Sequence, residues 1–258
     1  MEIKGCVGFV TGANRGIGRA FVEALVKAGA ARIYAAARNV TSVTSLVADD
    51  PGRIVAVTLD ITDPGLVQDA AKRCGDVDLV VNNAGVLQRA PLIGAETLDG
   101  ARTEMETNYF GTLVMCRAFA PVLAANGGGA IINVLSLSSL VNFPSVGSYC
   151  ASKAAAHSMT LGVRAELSRQ GTQVVGVFPG PVDTDMSAPD TLPKAPPAQI
   201  AESALDAVIR RIADVYPDVM ADDLRVGLEE IRTVVKEPHE LQQPITFGEK
   251  AKNGQSFE

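Results

Sequence analysis

The stretch VLSLSSLVNFPSVGSYCASK, Val134 to Lys153, holds six serines, one tyrosine and, four residues after the tyrosine, a lysine. On a helix beginning near Ser148, Tyr149 and Lys153 share one face. A free phenol titrates near ~10 and is almost wholly protonated at neutral pH. An ammonium beside it stabilises the phenolate, so the pair can give or take a proton during a reaction. The same residues also suit an amphipathic helix with a half-buried Tyr and a surface Lys. The pair alone does not separate the two readings.

A second cluster is TGANRGIG, Thr11 to Gly18. Gly12, Gly16 and Gly18 permit a tight turn and let a pyrophosphate approach the backbone where a helix N-terminus offers unpaired N–H groups. The spacing is one residue wider than G-x-G-x-x-G, and glycine turns between a strand and a helix are also ordinary structural features. Lying after a strand and before an amphipathic helix, the loop points to dinucleotide binding, with Asn14, Arg15 and Ile17 in it. An acid about 20 residues past the glycines would hold a ribose 2′-OH. Here YAAARN places Ala37 at that point and Arg38 next. A guanidinium can hold a 2′-phosphate by two charge-assisted hydrogen bonds, and Arg15 could add a second positive charge. Both arginines could instead be solvated surface residues; their positions favour NADP(H).

The elements that must position these residues are strands and helices in alternation. Strands are predicted at Cys6–Thr11, Arg32–Ala37, Ile54–Leu59, Asp78–Asn82, Ala130–Leu135 and Gln173–Phe178. They read as continuous apolar runs, as expected for strands covered on both faces. Ile17, Ala20, Phe21, Ala24, Leu25 and Ala28 recur at helical spacing, and Gly29 ends that helix. Repeated alternation implies an α/β fold with a parallel, doubly wound sheet and its ligand outside the carboxyl ends of the strands. From Pro179 to Pro197 the chain is proline-rich and reads as an irregular connection that covers the site. Two helices follow, one carrying Ile200, Ala204, Leu205, Val208, Ile209 and Ile212, the other Leu224, Leu228, Ile231 and Val235, stopping before Pro238. From Leu241 the sequence is polar and weakly patterned and reads as a mobile tail.

Taken together, TGANRGIG, NNAG (Asn82–Gly85), Asn108, Ser136, YCASK and PGPVDT (Pro179–Thr184) resemble the short-chain dehydrogenase/reductase family over roughly the first 185 residues. The likeness is to its compact NADP(H)-preferring branch of carbonyl reductases and acyl-carrier ketoacyl reductases. It implies a Rossmann-type sheet flanked by helices on both faces, with a small C-terminal helical extension. It also implies a single domain over 1–258: a cofactor-binding and catalytic core at 1–184, a substrate-covering loop and helices at 185–240, and the tail at 241–258. Tyr149 then matches the family's acid/base. Lys153 matches the residue that holds the nicotinamide ribose and lowers the tyrosine pKa. Asn108 matches the asparagine supporting a water beside that lysine, and Ser136 the hydrogen-bond donor to the substrate oxygen. Ser138 and Ser139 compete for the serine role but lie further into the loop; Leu135 stands where a second serine is frequent.

The resemblance likewise places Asp60 and Ile61 at the adenine and Asn83, Ala84 and Gly85 at the adenosine ribose. It places Pro179, Gly180, Val182 and Thr184 at the nicotinamide carboxamide. Asp60 could equally cap a helix, and Asn83–Gly85 could form a plain turn. An apolar substrate pocket is expected from Leu87, Leu140, Val141, Phe143, Val146 and Met186. Cys150 reads as a packing residue, since no adjacent His would activate it. The short terminal strand with a DGG-like segment, frequent in the family and used in tetramers, is replaced by ADVYPDVMADD, Ala213 to Asp223. A homo-oligomer, dimer or tetramer, is expected.

At 258 residues, 47% hydrophobic and 20% charged, the chain has an ordinary globular composition. A net charge of −6 gives no reason to expect nucleic acid or an anionic membrane as partner. Cys6, Cys74, Cys116 and Cys150 are scattered without CxxC spacing, and only His157 and His239 are present, so reduced thiols, a cytoplasmic setting and no metal site are expected. The reading is an NADPH-dependent reductase of a ketone or aldehyde, reversible as an alcohol dehydrogenase, with a small-molecule carbonyl or alcohol substrate. A β-ketoacyl-type reductase, a non-catalytic NADP-binding regulator on the same fold, and a sugar epimerase or dehydratase remain as alternatives.

Overall fold

The computed structural model of the chain describes residues 1–189 and 191–236. Seven parallel strands form one sheet: β1 (Val7–Thr11), β2 (Arg32–Ala37), β3 (Ile54–Thr58), β4 (Leu79–Asn82), β5 (Ala130–Val134), β6 (Gln173–Val177) and β7 (Asp214–Val215). The order across it is β3-β2-β1-β4-β5-β6-β7. The connections run outward in opposite senses from β1 and β4, so a crevice opens at the carboxyl ends of these two strands. The glycine loop leaves β1 there, and NNAG leaves β4.

Helices cover both faces: α1 (Gly16–Lys27), α2 (Thr44–Asp49), α3 (Pro64–Arg73), α4 (Asp99–Glu104), α5 (Thr112–Ala125), α6 (Gly147–Leu167), α7 (Pro197–Arg210) and α8 (Val219–Lys236). Successive strand residues point to opposite faces, and that divides the core. Leu79, Val81, Ile132 and Val175 pack with Phe21 and Leu25 of α1 and with Ala204 and Val208 of α7. Val80, Ile131 and Val174 pack on the other side with Phe9, Met115, Phe119 and Met159. Because both faces are covered, the strands need apolar side chains at every position, which is why they read as unbroken runs.

Local sequence sets the helix ends. Asp63 accepts from the backbone N–H of Gly65 (2.8 Å) and Leu66 (3.1 Å) and caps α3, with Pro64 at its first position. Gly29 takes φ +81° after α1. Inside the sheet Asn82 and Asn133 sit opposite one another on β4 and β5, and Asn82 Nδ2 donates to Asn133 Oδ1 at 2.8 Å.

One expectation is corrected. The segment that replaces the DGG-like strand does form a strand, β7, parallel to β6, although it is only two residues long. Tyr216, just after it, stacks on Phe178 (5.1 Å between centroids, 14° between planes) and so carries the chain back to the carboxyl edge. The last predicted helix is α8, running to Lys236, whereas Pro238, His239 and the tail at 241–258 lie outside the described residues.

Candidate active site

A cavity of about 1310 Å³ follows the carboxyl edge of the sheet. At one end it is lined by Arg38, Asn39, Asp60 and Ile61; in the middle by Gly12, Asn14, Arg15, Gly16, Ile17 and the Asn83–Gly85 turn. At the other end stand Ser136, Tyr149 and Lys153, with Pro179, Gly180, Val182 and Thr184 beside them.

The glycine loop has its shape because side chains would not fit. Gly12 and Gly16 lie at φ +63° and +52°, and a Cβ on Gly18 would come within 2.1 Å of Gly12 O. Gly18 does not itself line the cavity; its lack of a side chain lets α1 pack against the loop. Asn83 braces the same loop. Its Nδ2 donates to Thr11 O (2.9 Å) and Gly12 O (3.2 Å), while the backbone N–H groups of Asn83 and Ala84 donate to Thr11 Oγ1.

Arg38 is exposed at the rim. Burial raises the Asp60 carboxyl, but hydrogen bonds from Thr62 N (3.0 Å) and Oγ1 (2.7 Å), with the Arg38 charge, outweigh it and hold the group below its usual value. Arg15, also exposed, pairs with Asp185 at 2.9 Å and so spans from the glycine loop to the segment after Thr184.

At the inner end, Ser136 begins a 3-10 turn after β5. Its Oγ accepts from Ser138 N (3.1 Å), and its own N–H donates to Ser139 Oγ (3.3 Å). Ser139 is thereby occupied in the turn, and Ser136 is the serine that acts on the Tyr149 phenol. Tyr149 keeps part of its surface on the cavity. Burial pushes its phenol up to about 12, and Ser136 pulls it partly back. Lys153 is buried, its Nζ 2.9 Å from Val134 O and 5.8 Å from the Tyr149 ring centroid, and burial lowers it to about 8. Burial thus dominates both groups, raising the phenol and lowering the ammonium.

The lysine shift has a measurable consequence. Between pH about 8 and 10.5 the unfolded chain holds a proton on Lys153 that the folded chain has released, so the Lys153 contribution to stability rises with pH across that window. In urea unfolding of wild type and Lys153→Met, the difference moves in favour of wild type from pH 8 to 10.

Asn108 lies behind the cavity wall. The chain from α4 to α5 passes through a π-helical segment, Met105–Gly111, a distortion of the kind that re-aims side chains at functional sites. From it Asn108 Nδ2 donates to Val86 O and Ser152 Oγ, both at 2.9 Å, and Asn108 Oδ1 accepts from Val86 N at 2.9 Å. Ser152 in turn donates to Tyr149 O at 2.8 Å. Ser152 was missed in the sequence because a serine inside a helix gives no distinctive signal.

The apolar end differs in part from expectation. Leu87, Phe143, Val146 and Met186 line it, but Leu140 packs with Leu135, Ala156 and Phe178, and Val141 is not in the wall. Leu192 and Met220 take their place. Met220 arrives on α8, whose cap, Asp218, accepts from Ala221 N (3.0 Å) and from Gly180 N (2.8 Å). Cys150 is buried and accepts from Phe143 N at 3.3 Å, a packing position. Among the described residues no group of three His, Cys, Asp or Glu could hold a metal ion, and no helix is long and apolar enough to cross a membrane.

The fold is shared with known proteins. A short chain dehydrogenase from Burkholderia cenocepacia J2315, solved in complex with NADP, superposes with a TM-score of 0.85 at 43% identity, covering 95% of this chain and 100% of that one. A gluconate 5-dehydrogenase from the same organism, solved with NADP and tartrate, gives 0.74 at 27% identity over 81% of this chain and 92% of its own. Sorbitol dehydrogenase of Cereibacter sphaeroides is 37% identical over 188 residues, 71% of this chain and 73% of the relative. The short chain dehydrogenase family matches residues 7–194, the stretch that runs from β1 through the glycine loop to Thr184 and beyond, and the chain belongs to that family.

Proposed function

We propose that the chain is an NADPH-dependent reductase of apolar ketones or aldehydes, working in reverse as an alcohol dehydrogenase. The observation that carries this reading is the cavity itself: Ser136, Tyr149 and Lys153 meet at one end, and Arg38 stands at the other. Its middle fits a dinucleotide, since Gly12 and Gly16 leave a side-chain-free cradle at the N-terminus of α1, where unpaired N–H groups favour an anion. Arg38 and Arg15 would hold the 2′-phosphate, Asp60 the adenine amino group, and Lys153 the nicotinamide ribose. Pro179, Gly180, Val182 and Thr184 would hold the carboxamide. NADPH, when bound, supplies the hydride.

The chain's own residues manage the proton. A substrate carbonyl oxygen between Ser136 and Tyr149 receives a hydrogen bond from each, and negative charge developing there is stabilised by donors already in place. Tyr149 keeps its proton at neutral pH and so has one to donate, the role reduction requires. Lys153, lowered to about 8, is better matched to neutral pH and can restore that proton. Asn108 fixes the wall behind them through Val86 and Ser152.

Leu87, Phe143, Val146, Met186, Leu192 and Met220 give the substrate end its apolar character. A panel of carbonyls assayed by NADPH oxidation tests this. Turnover of aryl and branched alkyl ketones or aldehydes is expected; turnover confined to polyols and sugar acids would remove the apolar-substrate reading.

A further inference from the structure

Glu104 ends α4 and is fully buried, and nothing in the chemistry above uses it. One oxygen, Oε1, accepts from Gln88 N at 2.7 Å; the other, Oε2, has no hydrogen-bond partner among the described residues. Taking a carboxylate out of water without full pairing is costly, so its presence calls for a physical reason.

The loop after β4 provides one. Asn108, four residues on from Glu104, holds Val86 through both its N–H and its carbonyl. Residues 86 and 88 thus hang on two side chains of the same helical stretch, as alternate residues of a strand would pair with a neighbour. Leu87 between them and Arg89 beyond them line the cavity. Arg89 lies at φ +53°, and its Nη2 donates to Met186 O at 2.9 Å, across the mouth. Ala90 O is held by Ser148 Oγ at 3.1 Å. The substrate-facing side of this loop is therefore set by what pins its other side.

We infer that Glu104 is a positioning residue of the active site: its side chain anchors the substrate-facing loop 86–90 through Gln88 N. That Leu87 and Arg89 of this loop face a substrate rests on the reading of the cavity as the site of carbonyl reduction.

Two substitutions test this. Glu104→Gln keeps an oxygen for Gln88 N; Glu104→Leu removes it. In hydrogen exchange of the peptide spanning 86–90, Glu104→Leu should exchange on the order of tenfold faster than wild type, and Glu104→Gln should stay within a few-fold of wild type. Unchanged exchange in Glu104→Leu, or exchange in Glu104→Gln as fast as in the leucine variant, would overturn the anchoring role. Should the leucine variant fail to fold, Glu104→Met, which keeps most of the side-chain volume without an oxygen, takes its place with the same expected and contrary results. The measurement uses neither NADPH nor a carbonyl, so failure of the reductase reading would not be mistaken for failure of this one.

Discussion

Replacing Tyr149 by Phe is expected to slow carbonyl reduction by about 10²–10⁴-fold while leaving NADPH affinity nearly unchanged. The aromatic ring, which packs at the start of α6, is retained in phenylalanine; only the hydroxyl beside Ser136 is lost. Two things go with it: the proton for the developing alkoxide and one of the two donors that hold the carbonyl oxygen. Ser136→Ala removes only the second, so it should lower turnover less. Steady-state rates with NADPH titrated by its own fluorescence distinguish the two, because a fault in cofactor binding would move both readings. A Tyr149→Phe protein with undiminished turnover would mean that another group supplies the proton.

Arg38→Asp is expected to weaken NADPH by roughly 100-fold or more and NADH only slightly, since one charge-assisted contact is lost and a repulsive charge replaces it. Arg38 is exposed at the end of β2, in the rim of the cavity, and Ala37 before it offers no carboxylate to a ribose hydroxyl. Arg15→Ala should have a smaller effect. Its guanidinium is already paired with Asp185 at 2.9 Å and must give up that contact to reach a phosphate. Parallel binding titrations of NADPH and NADH with each variant check this, and equal losses for both cofactors would remove Arg38 from the phosphate site.

What the sequence disclosed follows from how local each signal is. The strands were legible because burial on both faces leaves no polar residue in runs such as Ile131–Asn133, apart from the paired Asn133. The glycine loop was legible because φ values of +63° and +52° select glycine at Gly12 and Gly16. The same pattern did not show that Gly18 faces the backbone of Gly12, since that depends on how α1 packs against the loop. Tyr149 and Lys153 were legible as a pair one turn apart, but the direction of their titration depends on enclosure by residues distant in sequence. Glu104 and Asp218 were invisible for that reason too: their partners, Gln88 and Gly180, lie 16 and 38 residues away and leave no periodic trace. Leu140 and Met220 exchanged roles because proximity in sequence placed the first near the site, while only the return of α8 brings the second there.

The central claim is that this cavity reduces a carbonyl at the expense of NADPH. Its most direct test is the stoichiometry of one reaction: purified protein, NADPH and an apolar ketone such as acetophenone or, if that is not turned over, the fastest aldehyde or ketone of the panel. NADPH lost and alcohol formed are counted together. The account predicts one alcohol per NADPH in wild type, and both changes slowed by at least about 10²-fold in Tyr149→Phe. NADPH that binds yet is consumed by no carbonyl, or is consumed without alcohol appearing, would contradict it.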